Sequence, residues 1–262
     1  MDFGIKGQGA VVAAASKGLG RACAVALAEE GVNVAVFARD LNALSETAAA
    51  IRAAGAQALA IQADVTQPDQ IRAVIDRAAS EFGRLDILVC NAGGPPPGKF
   101  ADVNEEQWEQ AFHLNLMSVV RLIQAALPHM RRQGSGRIMN LVSTSVREPI
   151  DGLILSNSIR SGVIGLAKTL SQELGPDNIT INNIITGSIM TDRQRALRAR
   201  MAQQLGISVE EAIKMVEKNI PLGRLGEPEE LAALVAFLAS RQAAYITGAS
   251  IPVDGGIMKG VW

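Results

Sequence analysis

Two serines and an arginine stand at short intervals in the middle of the chain. Ser143 ends an apolar run, Ser156 follows thirteen residues later, and Arg160 comes four residues after Ser156. A hydroxyl donates a hydrogen bond to an oxygen that gains negative charge in a reaction, whereas a guanidinium, with a pKa above about 12, is a poor proton donor. The one tyrosine, Tyr245, lies far along the chain. These residues can therefore hold a developing oxyanion, but an acid that delivers a proton is missing from the group.

A glycine-rich turn follows the first apolar run. Residues 14–20 read Ala-Ala-Ser-Lys-Gly-Leu-Gly and lie between a predicted strand and a predicted helix. Such a turn lets backbone N–H groups and the helix N-terminus approach a pyrophosphate. The alternative is a plain tight turn, but the strand-to-helix context favours a dinucleotide site. The residues in position to form it are Ser16, Lys17, Gly18, Leu19 and Gly20.

The tip of the second predicted strand bears on which dinucleotide would bind. An acid there accepts a hydrogen bond from the ribose 2′-hydroxyl of NAD(H), whereas an arginine suits the 2′-phosphate of NADP(H). Ala38 stands about where the acid would be, and Arg39 follows it. Lys17 could add a second cation and Asp40 weakens the field, while both bases could equally be ordinary solvated side chains. On balance the sequence favours NADP(H) over NAD(H).

Strand and helix patterns alternate from one end of the sequence to the other. Short apolar runs predict strands, and the helical segments between them mostly end at glycine or proline signals. The alternation predicts an α/β protein with a doubly wound, Rossmann-type parallel sheet of about seven strands and helices on both faces. Since no composition break divides the chain, we expect a single dinucleotide-binding domain over residues 1–262, with a small helical lid at residues 187–226. The predicted strands are 8–14, 32–37, 56–62, 85–90, 137–142, 179–185 and 250–253, and the predicted helices are 20–30, 41–54, 66–83, 104–130, 156–174, 191–204, 208–218 and 228–240.

Composition restricts the classes of function. The chain has 262 residues, 48% of them hydrophobic, and a formal net charge of −1, so no overall field attracts nucleic acid or a membrane surface. No apolar run reaches the ~18 residues of a membrane span. Cys23 and Cys90 fall in a predicted helix and strand as reduced core thiols, which favours a cytoplasmic protein. The two histidines, His113 and His129, show no metal-ligand spacing, so no metal site is expected.

Further short motifs occur in order along the chain, and most of them end predicted strands. They are Asp64-Val65, Asn91-Ala92-Gly93, Asn115, Ser143, Asn182, Gly187, Ile189, Thr191 and Asp254-Gly255-Gly256. With these motifs, the chain resembles the short-chain dehydrogenase/reductase family over essentially its whole length. It is nearest in style to the 3-oxoacyl-(acyl-carrier-protein) reductases.

The resemblance implies a role for each matching residue. The pyrophosphate would lie on Gly18, Leu19 and Gly20, the adenine on Asp64 and Val65, the ribose region on Asn91, Ala92 and Gly93, and the nicotinamide carboxamide on Ile189 and Thr191, just after Gly187. Ser143 and Asn115 would serve in catalysis. Ser156 and Arg160 stand where the family has its proton-donating tyrosine and the lysine that binds the nicotinamide ribose, so Arg160 would hold the ribose hydroxyls in place of that lysine. Ala14 stands where the family has its first glycine. Tyr245 falls in a structural stretch before the last strand, so a catalytic role for it is not expected.

The missing phenol leaves three outcomes open, because loss of a positioned general acid typically costs ~10²–10⁴ in rate. The protein could still interconvert a carbonyl and an alcohol, with Ser143 as oxyanion donor and a water between Ser156 and Arg160 for the proton. It could act on a substrate that carries its own acid, or bind the dinucleotide without turnover. We favour an NADP(H)-dependent oxidoreductase, with a 3-oxoacyl thioester among its candidate substrates.

Two features bear on partners. The lid carries arginines that either attract an acidic substrate or form a solvated helix face: Arg193, Arg195, Arg198 and Arg200. The long predicted helices 104–130 and 156–174 are apolar on more than one face, which predicts a partner beyond their own sheet. The family resemblance implies pairing through these helices into a homotetramer or homodimer.

Overall fold

The predicted strands are all present in the computed structural model, which describes residues 2–260. They are β1 (Gly9–Ala13), β2 (Asn33–Ala38), β3 (Ala58–Gln62), β4 (Ile87–Cys90), β5 (Gly136–Ser143), β6 (Ile179–Thr186) and β7 (Ser250–Val253). They form one parallel sheet in the order β3-β2-β1-β4-β5-β6-β7. The strand order reverses between β1 and β4, and in such sheets ligands bind outside the carboxyl ends of the strands at this point.

Helices cover both faces of the sheet, which confirms the predicted doubly wound architecture. They are α1 (Gly18–Glu29), α2 (Leu41–Ala53), α3 (Pro68–Phe82), α4 (Glu105–Phe112), α5 (Ser118–Gln133), α6 (Ile154–Ile159), α7 (Ser161–Glu173), α8 (Asp192–Leu205), α9 (Val209–Glu217) and α10 (Pro228–Ala239). Apolar side chains of α1, α2 and α10 pack on one face, and those of α3, α5 and α7 pack on the other. The single-domain prediction for residues 1–262 includes residues 1, 261 and 262, which lie outside the described part, and it stays a prediction.

Two predicted helices are interrupted in the structure, so their predicted bounds were wrong. The helix expected at residues 104–130 consists of α4, a π-helical turn at His113–Met117, and α5. The helix expected at residues 156–174 starts earlier, at Ile154, and divides at Arg160 into α6 and α7. A π turn lies inside a continuing helix, so the start and stop signals of helices do not reveal it.

The insertion that follows β6 is closed at its base by contacts between its two ends, outside the sheet. Ile189 and Gly226 form an isolated parallel bridge. The Met190 N–H donates to the Gly226 carbonyl at 2.8 Å, and the Gly226 N–H donates to the Ser188 carbonyl at 3.0 Å. Helices α8 and α9 therefore form a closed excursion from the end of β6, at the edge of the sheet where the cleft is expected. Its action as a lid stays a prediction.

The described residues bear on two further expectations. Cys23 and Cys90 are buried free thiols. Burial raises the pKa of Cys23 to about 12 and also raises the pKa of Cys90, so both are inert core groups near neutral pH. Between residues 2 and 260, no helix combines the length and hydropathy that a membrane crossing requires.

Candidate functional site

The glycine-rich turn brings backbone unusually close to backbone. Gly18 has φ +58°, and a Cβ built on Gly20 would lie 2.6 Å from the Ala14 carbonyl oxygen and 2.9 Å from Asn91 Nδ2. Lys17 precedes α1 without a side-chain cap, and the first turn of α1 carries no acid. The first N–H groups of α1 are therefore open to an anion.

Ala14 holds a strained conformation at the start of this turn. Its φ is +49°, in the left-handed region that disfavours a residue with a Cβ. The sequence analysis placed Ala14 where the resembled family has its first glycine. The observed φ explains why a glycine suits this position. The turn therefore has the backbone conformation that suits a glycine, with a strained alanine at its first position.

Replacing Ala14 by glycine is expected to raise the free energy of unfolding by about 1 kcal/mol, because the left-handed conformation costs a non-glycine residue about 1–2 kcal/mol. Urea denaturation followed by circular dichroism measures the change. Ala13→Gly, one residue earlier in buried strand β1, is the matched control and should instead lose stability. Equal destabilisation by both substitutions would contradict the strain at Ala14.

Side chains from two other elements fix the carbonyls of this turn. Thr47, buried in α2, donates its hydroxyl to the Ala15 carbonyl at 3.0 Å. Asn91, just after β4, donates from Nδ2 to the Ala13 carbonyl at 3.3 Å. The sequence analysis missed Thr47; its signal was a hydroxyl at an otherwise apolar position of an alanine-rich helix.

The tip of β2 presents a cation to the cleft edge. Arg39 is exposed, and its guanidinium forms no hydrogen bond or ion pair with the rest of residues 2–260. The Asp40 carboxylate accepts from the Ala43 N–H at 3.1 Å and thereby caps α2. Arg39 and Asp40 form no ion pair, so the Arg39 guanidinium remains available to an anion such as a 2′-phosphate.

The end of β3 forms a small ordered turn. The Asp64 carboxylate accepts from both the N–H and the hydroxyl of Thr66 at 2.8 Å. Arg121 of α5 donates to the Thr66 carbonyl at 2.8 Å, and Val65 is buried. The predicted adenine-contacting pair is therefore held on the edge of the sheet that also carries the glycine-rich turn.

Three serines lie together after the end of β5. Ser143 Oγ accepts from the Ser145 N–H at 3.2 Å, and the hydroxyls of Ser145 and Ser156 are 3.0 Å apart and buried. Because Ser143 Oγ is an acceptor here, its own proton remains free to be donated elsewhere. Ser145 was missed by the sequence analysis; its signal was a second serine two residues after Ser143.

The Gly93 carbonyl joins two of the predicted catalytic residues. Asn115, in the π turn, donates from Nδ2 to it at 2.8 Å, while Asn115 Oδ1 is buried without a partner among residues 2–260. Arg160 donates from Nη2 to the same carbonyl at 3.5 Å and from Nη1 to the Leu141 carbonyl at 3.3 Å. The orphan Oδ1 faces no protein donor, so a water or a bound ligand would satisfy it.

The electrostatics of Arg160 differ from the expectation made from the sequence. Burial, and then the positive charge of Arg193, lower the pKa of Arg160 to about 10. Arg160 is still protonated near neutral pH, so it supplies positive potential at the site without being an ordinary solvated base.

The segment after β6 brings the start of the insertion to the glycine-rich turn. A Cβ on Gly187 would lie 2.5 Å from Asp254 Cα, so only glycine fits there. Ile189 is buried, and Thr191 caps α8 by accepting from the Gln194 N–H at 3.3 Å. Thr191 Cγ2 lies 3.5 Å from where a Cβ on Gly18 would be. This proximity sets the predicted carboxamide residues beside the predicted pyrophosphate residues.

An open groove of about 820 Å³ lies behind the turn, between α1, α10 and the start of the insertion. It borders Lys17, Gly18 and Thr191, but Ser143 and Ser156 do not line it. The groove therefore adjoins the predicted pyrophosphate site and is distinct from the serine cluster.

Known proteins resemble this chain over nearly its whole length. A family model described as enoyl-(acyl carrier protein) reductase matches residues 13–258. The 3-oxoacyl-(acyl-carrier-protein) reductase FabG of Staphylococcus aureus is 38% identical over 251 residues, which cover 95% of this chain and 98% of that protein. The chain belongs to the short-chain dehydrogenase/reductase family.

Solved structures of this family are similar over the full length. L-sorbose reductase from Gluconobacter frateurii, in complex with NADPH and L-sorbose, is 32% identical with a TM-score of 0.96 and 100% coverage of both chains. The NADPH-dependent reductase YwfH, involved in bacilysin biosynthesis, is 31% identical with a TM-score of 0.92, covering 97% of this chain and 99% of the other. The fold and its family are thus established together.

Other reactive residues lie away from the cleft of this family member. Tyr245 is fully exposed and precedes the amino end of β7, whereas Ser143 ends its strand at the opposite, carboxyl edge. His113 is exposed and contacts Arg121 through Nδ1 at 3.4 Å. No cluster of metal-ligating side chains is present between residues 2 and 260. Nothing here supplies the missing phenol from another part of the described chain.

Proposed function

We propose that this chain is an NADP(H)-dependent oxidoreductase that interconverts a carbonyl and an alcohol, with 3-oxoacyl thioesters as one candidate substrate class. The observation that carries the proposal is the position of Ser143. Its hydroxyl ends β5 with a free proton, on the edge of the sheet that also holds Asn91–Gly93 and the glycine-rich turn. The FabG relative and the NADPH complex of L-sorbose reductase support the reaction class and the cofactor.

The residues present fit a dinucleotide. The uncapped start of α1 and the close approach at Gly20 leave room and donors for a pyrophosphate, and the free guanidinium of Arg39 suits a 2′-phosphate. Ile189 and Thr191 would lie along the nicotinamide end, beside Gly187. The bound cofactor would supply the hydride.

The serine cluster and Arg160 would do the remaining work at the reacting carbonyl. The Ser143 hydroxyl, whose hydrogen has no partner, donates a hydrogen bond to the carbonyl oxygen. It thereby stabilises the negative charge that develops there. The Ser145 N–H fixes the orientation of Ser143. In place of a phenol, a water between Ser156 and Arg160 carries the proton, with Arg160 adding positive potential.

The reaction is tested by following NADPH absorbance with ketones, 3-oxoacyl thioesters and secondary alcohols. Replacing Ser143 by alanine is expected to lower kcat by ~10²–10³-fold, the usual effect of losing one oxyanion donor, without changing NADPH binding. Ser80→Ala, at an exposed position of α3, is the matched control. Equal turnover in Ser143→Ala and wild type would contradict the assigned role.

A second candidate function is dinucleotide binding without turnover. It is favoured by one observation: the Ser156 hydroxyl is bonded to Ser145, and the Arg160 guanidinium is bonded to two backbone carbonyls. In this case NADPH raises the melting temperature but no substrate is reduced. If NADPH does not raise the melting temperature even at concentrations far above its expected Kd, both functions are contradicted.

We also propose that the chain forms a homotetramer or homodimer through α5 and α7. Apolar side chains on these helices remain partly exposed after packing on the sheet: Val120, Ile164, Leu166 and Leu170. A helix that is apolar beyond its sheet-facing stripe usually packs against a partner.

A further inference from the structure

The C-terminal segment, residues 254–260, is fastened to the turn that follows Ser143. The Glu148 carboxylate accepts hydrogen bonds through Oε1 from the Lys259 N–H at 2.6 Å and from the Gly260 N–H at 2.9 Å. Hydrogen bonds from backbone N–H groups to a carboxylate are charge-assisted and stronger than neutral ones. Glu148 forms no ion pair within residues 2–260, so these two N–H groups are the partners of its charge in the described chain.

Residues 143–148, which we call the serine turn, form one hydrogen-bonded unit with Glu148 at its end. The N–H groups of its last two residues both donate to the Thr144 carbonyl, at 3.0 and 3.1 Å. At the start of the turn, the Ser145 N–H donates to Ser143 Oγ at 3.2 Å. A displacement of Glu148 therefore reaches the Ser143 hydroxyl through the backbone of Thr144 and Ser145.

The C-terminal segment is itself ordered by its first residue. The Asp254 carboxylate accepts from the Gly256 N–H at 2.9 Å and from the Met258 N–H at 3.0 Å. The Met258 side chain packs against the apolar cluster on the face of the sheet that α3, α5 and α7 cover. Arg147, in the serine turn, also donates to the Ser250 carbonyl of β7 at 3.2 Å. Two successive residues of the serine turn are thus bonded to the end of the chain.

The C-terminal segment also contacts both ends of the insertion. At the first end, a Cβ on Gly187 would lie 2.5 Å from Asp254 Cα. At the other end, the Leu222 N–H donates to the Gly255 carbonyl at 3.2 Å, and a Cβ on Gly255 would lie 2.6 Å from Ile220 Cγ2. The segment therefore joins the insertion to the serine turn.

We propose that Glu148 is a positioning residue, which holds the C-terminal segment against the serine turn and so fixes the Ser143 hydroxyl relative to the insertion. This inference rests on the proposed function, in which Ser143 donates to the reacting carbonyl. A catalytic group that is displaced by about 1 Å can lose ~10²-fold in rate. A contact that does not touch the reacting atoms is therefore sufficient to change kcat.

Replacing Glu148 by alanine is expected to lower kcat for ketone reduction by ~10-fold or more. The Kd for NADPH should stay unchanged, because Glu148 bonds to no residue of the predicted pyrophosphate site. Glu148→Gln keeps an oxygen that accepts the same hydrogen bonds and should recover most of kcat. Glu81→Ala, which removes an exposed acid of α3, is the matched control and should equal wild type. Melting temperatures of all three variants show whether any of them loses its fold.

Amide hydrogen exchange, followed by mass spectrometry, measures the same contacts without a substrate. In Glu148→Ala, peptides that cover residues 143–148 and 254–260 are expected to exchange faster, whereas Glu148→Gln should stay close to wild type. If this pattern appears while no variant turns over a carbonyl compound, the proposed oxidoreductase function fails and the positioning of the serine turn by Glu148 stands. If Glu148→Ala speeds exchange at residues 254–260 alone and leaves kcat unchanged, Glu148 only anchors the C-terminal segment and the proposal is overturned.

Discussion

Replacing Ser156 by tyrosine and Arg160 by lysine together is expected to raise kcat for ketone reduction by ~10²-fold or more, because a positioned general acid contributes ~10²–10⁴ in rate. The Ser156 side chain already points at Ser145, in the turn that follows Ser143. A phenol from this position would extend toward the oxyanion site, and a lysine one turn later would lower its pKa. Cofactor absorbance with a panel of ketones measures the gain.

The matched control is the Ser156→Phe/Arg160→Lys double variant. It makes the same steric demand on the buried site near Ser145 but lacks the acidic hydroxyl. Melting temperature and NADPH affinity are compared in both double variants, so that a loss of fold is recognised. An equal rate in the phenylalanine and tyrosine variants would show that the missing acid does not limit turnover.

Replacing Arg39 by alanine is expected to raise the Kd for NADPH by ~10–100-fold and to leave the Kd for NADH unchanged. Hydrogen bonds to charged groups contribute ~1.5–3 kcal/mol, and only NADPH carries the 2′-phosphate. Asp40 caps α2 and forms no ion pair with Arg39. Equilibrium titration by cofactor fluorescence measures both constants.

Arg72→Ala, an exposed arginine of α3 away from the β2 tip, controls for a general loss of positive charge. If Arg39→Ala weakened both cofactors to the same degree, Arg39 would be acting on the adenosine or on the fold. If it weakened neither, the preference for NADP(H) would have another origin.

The sheet could be predicted from the sequence because each strand is a short apolar run between turn signals. Parallel strands that are covered on both faces read as near-continuous apolar runs, so this pattern favours a buried parallel sheet. Helix interiors were less predictable. The π turn that holds Asn115 and the break at Arg160 lie inside segments that the sequence analysis took as continuous helices.

The sequence predicts which site residues lie at the ends of strands. It does not predict the contacts between segments that are far apart in the chain. Residues such as Ser143 and Asn91 follow directly from strand order, since the carboxyl ends of parallel strands share one edge. Thr47, Ser145 and the reach of Arg193 to Gly94 depend on contacts between segments far apart in sequence. The lowered pKa of Arg160 likewise requires its burial and the proximity of Arg193, which no local pattern encodes.

The bridge between Ile189 and Gly226 has a consequence for how this protein diversifies. Since the excursion departs from and rejoins the framework at adjoining backbone positions, its length and side chains can change with no shift in strand register. We expect selectivity toward new compounds to change through α8 and α9, while Ile189 and Thr191 at the base of the excursion are retained with the cofactor site.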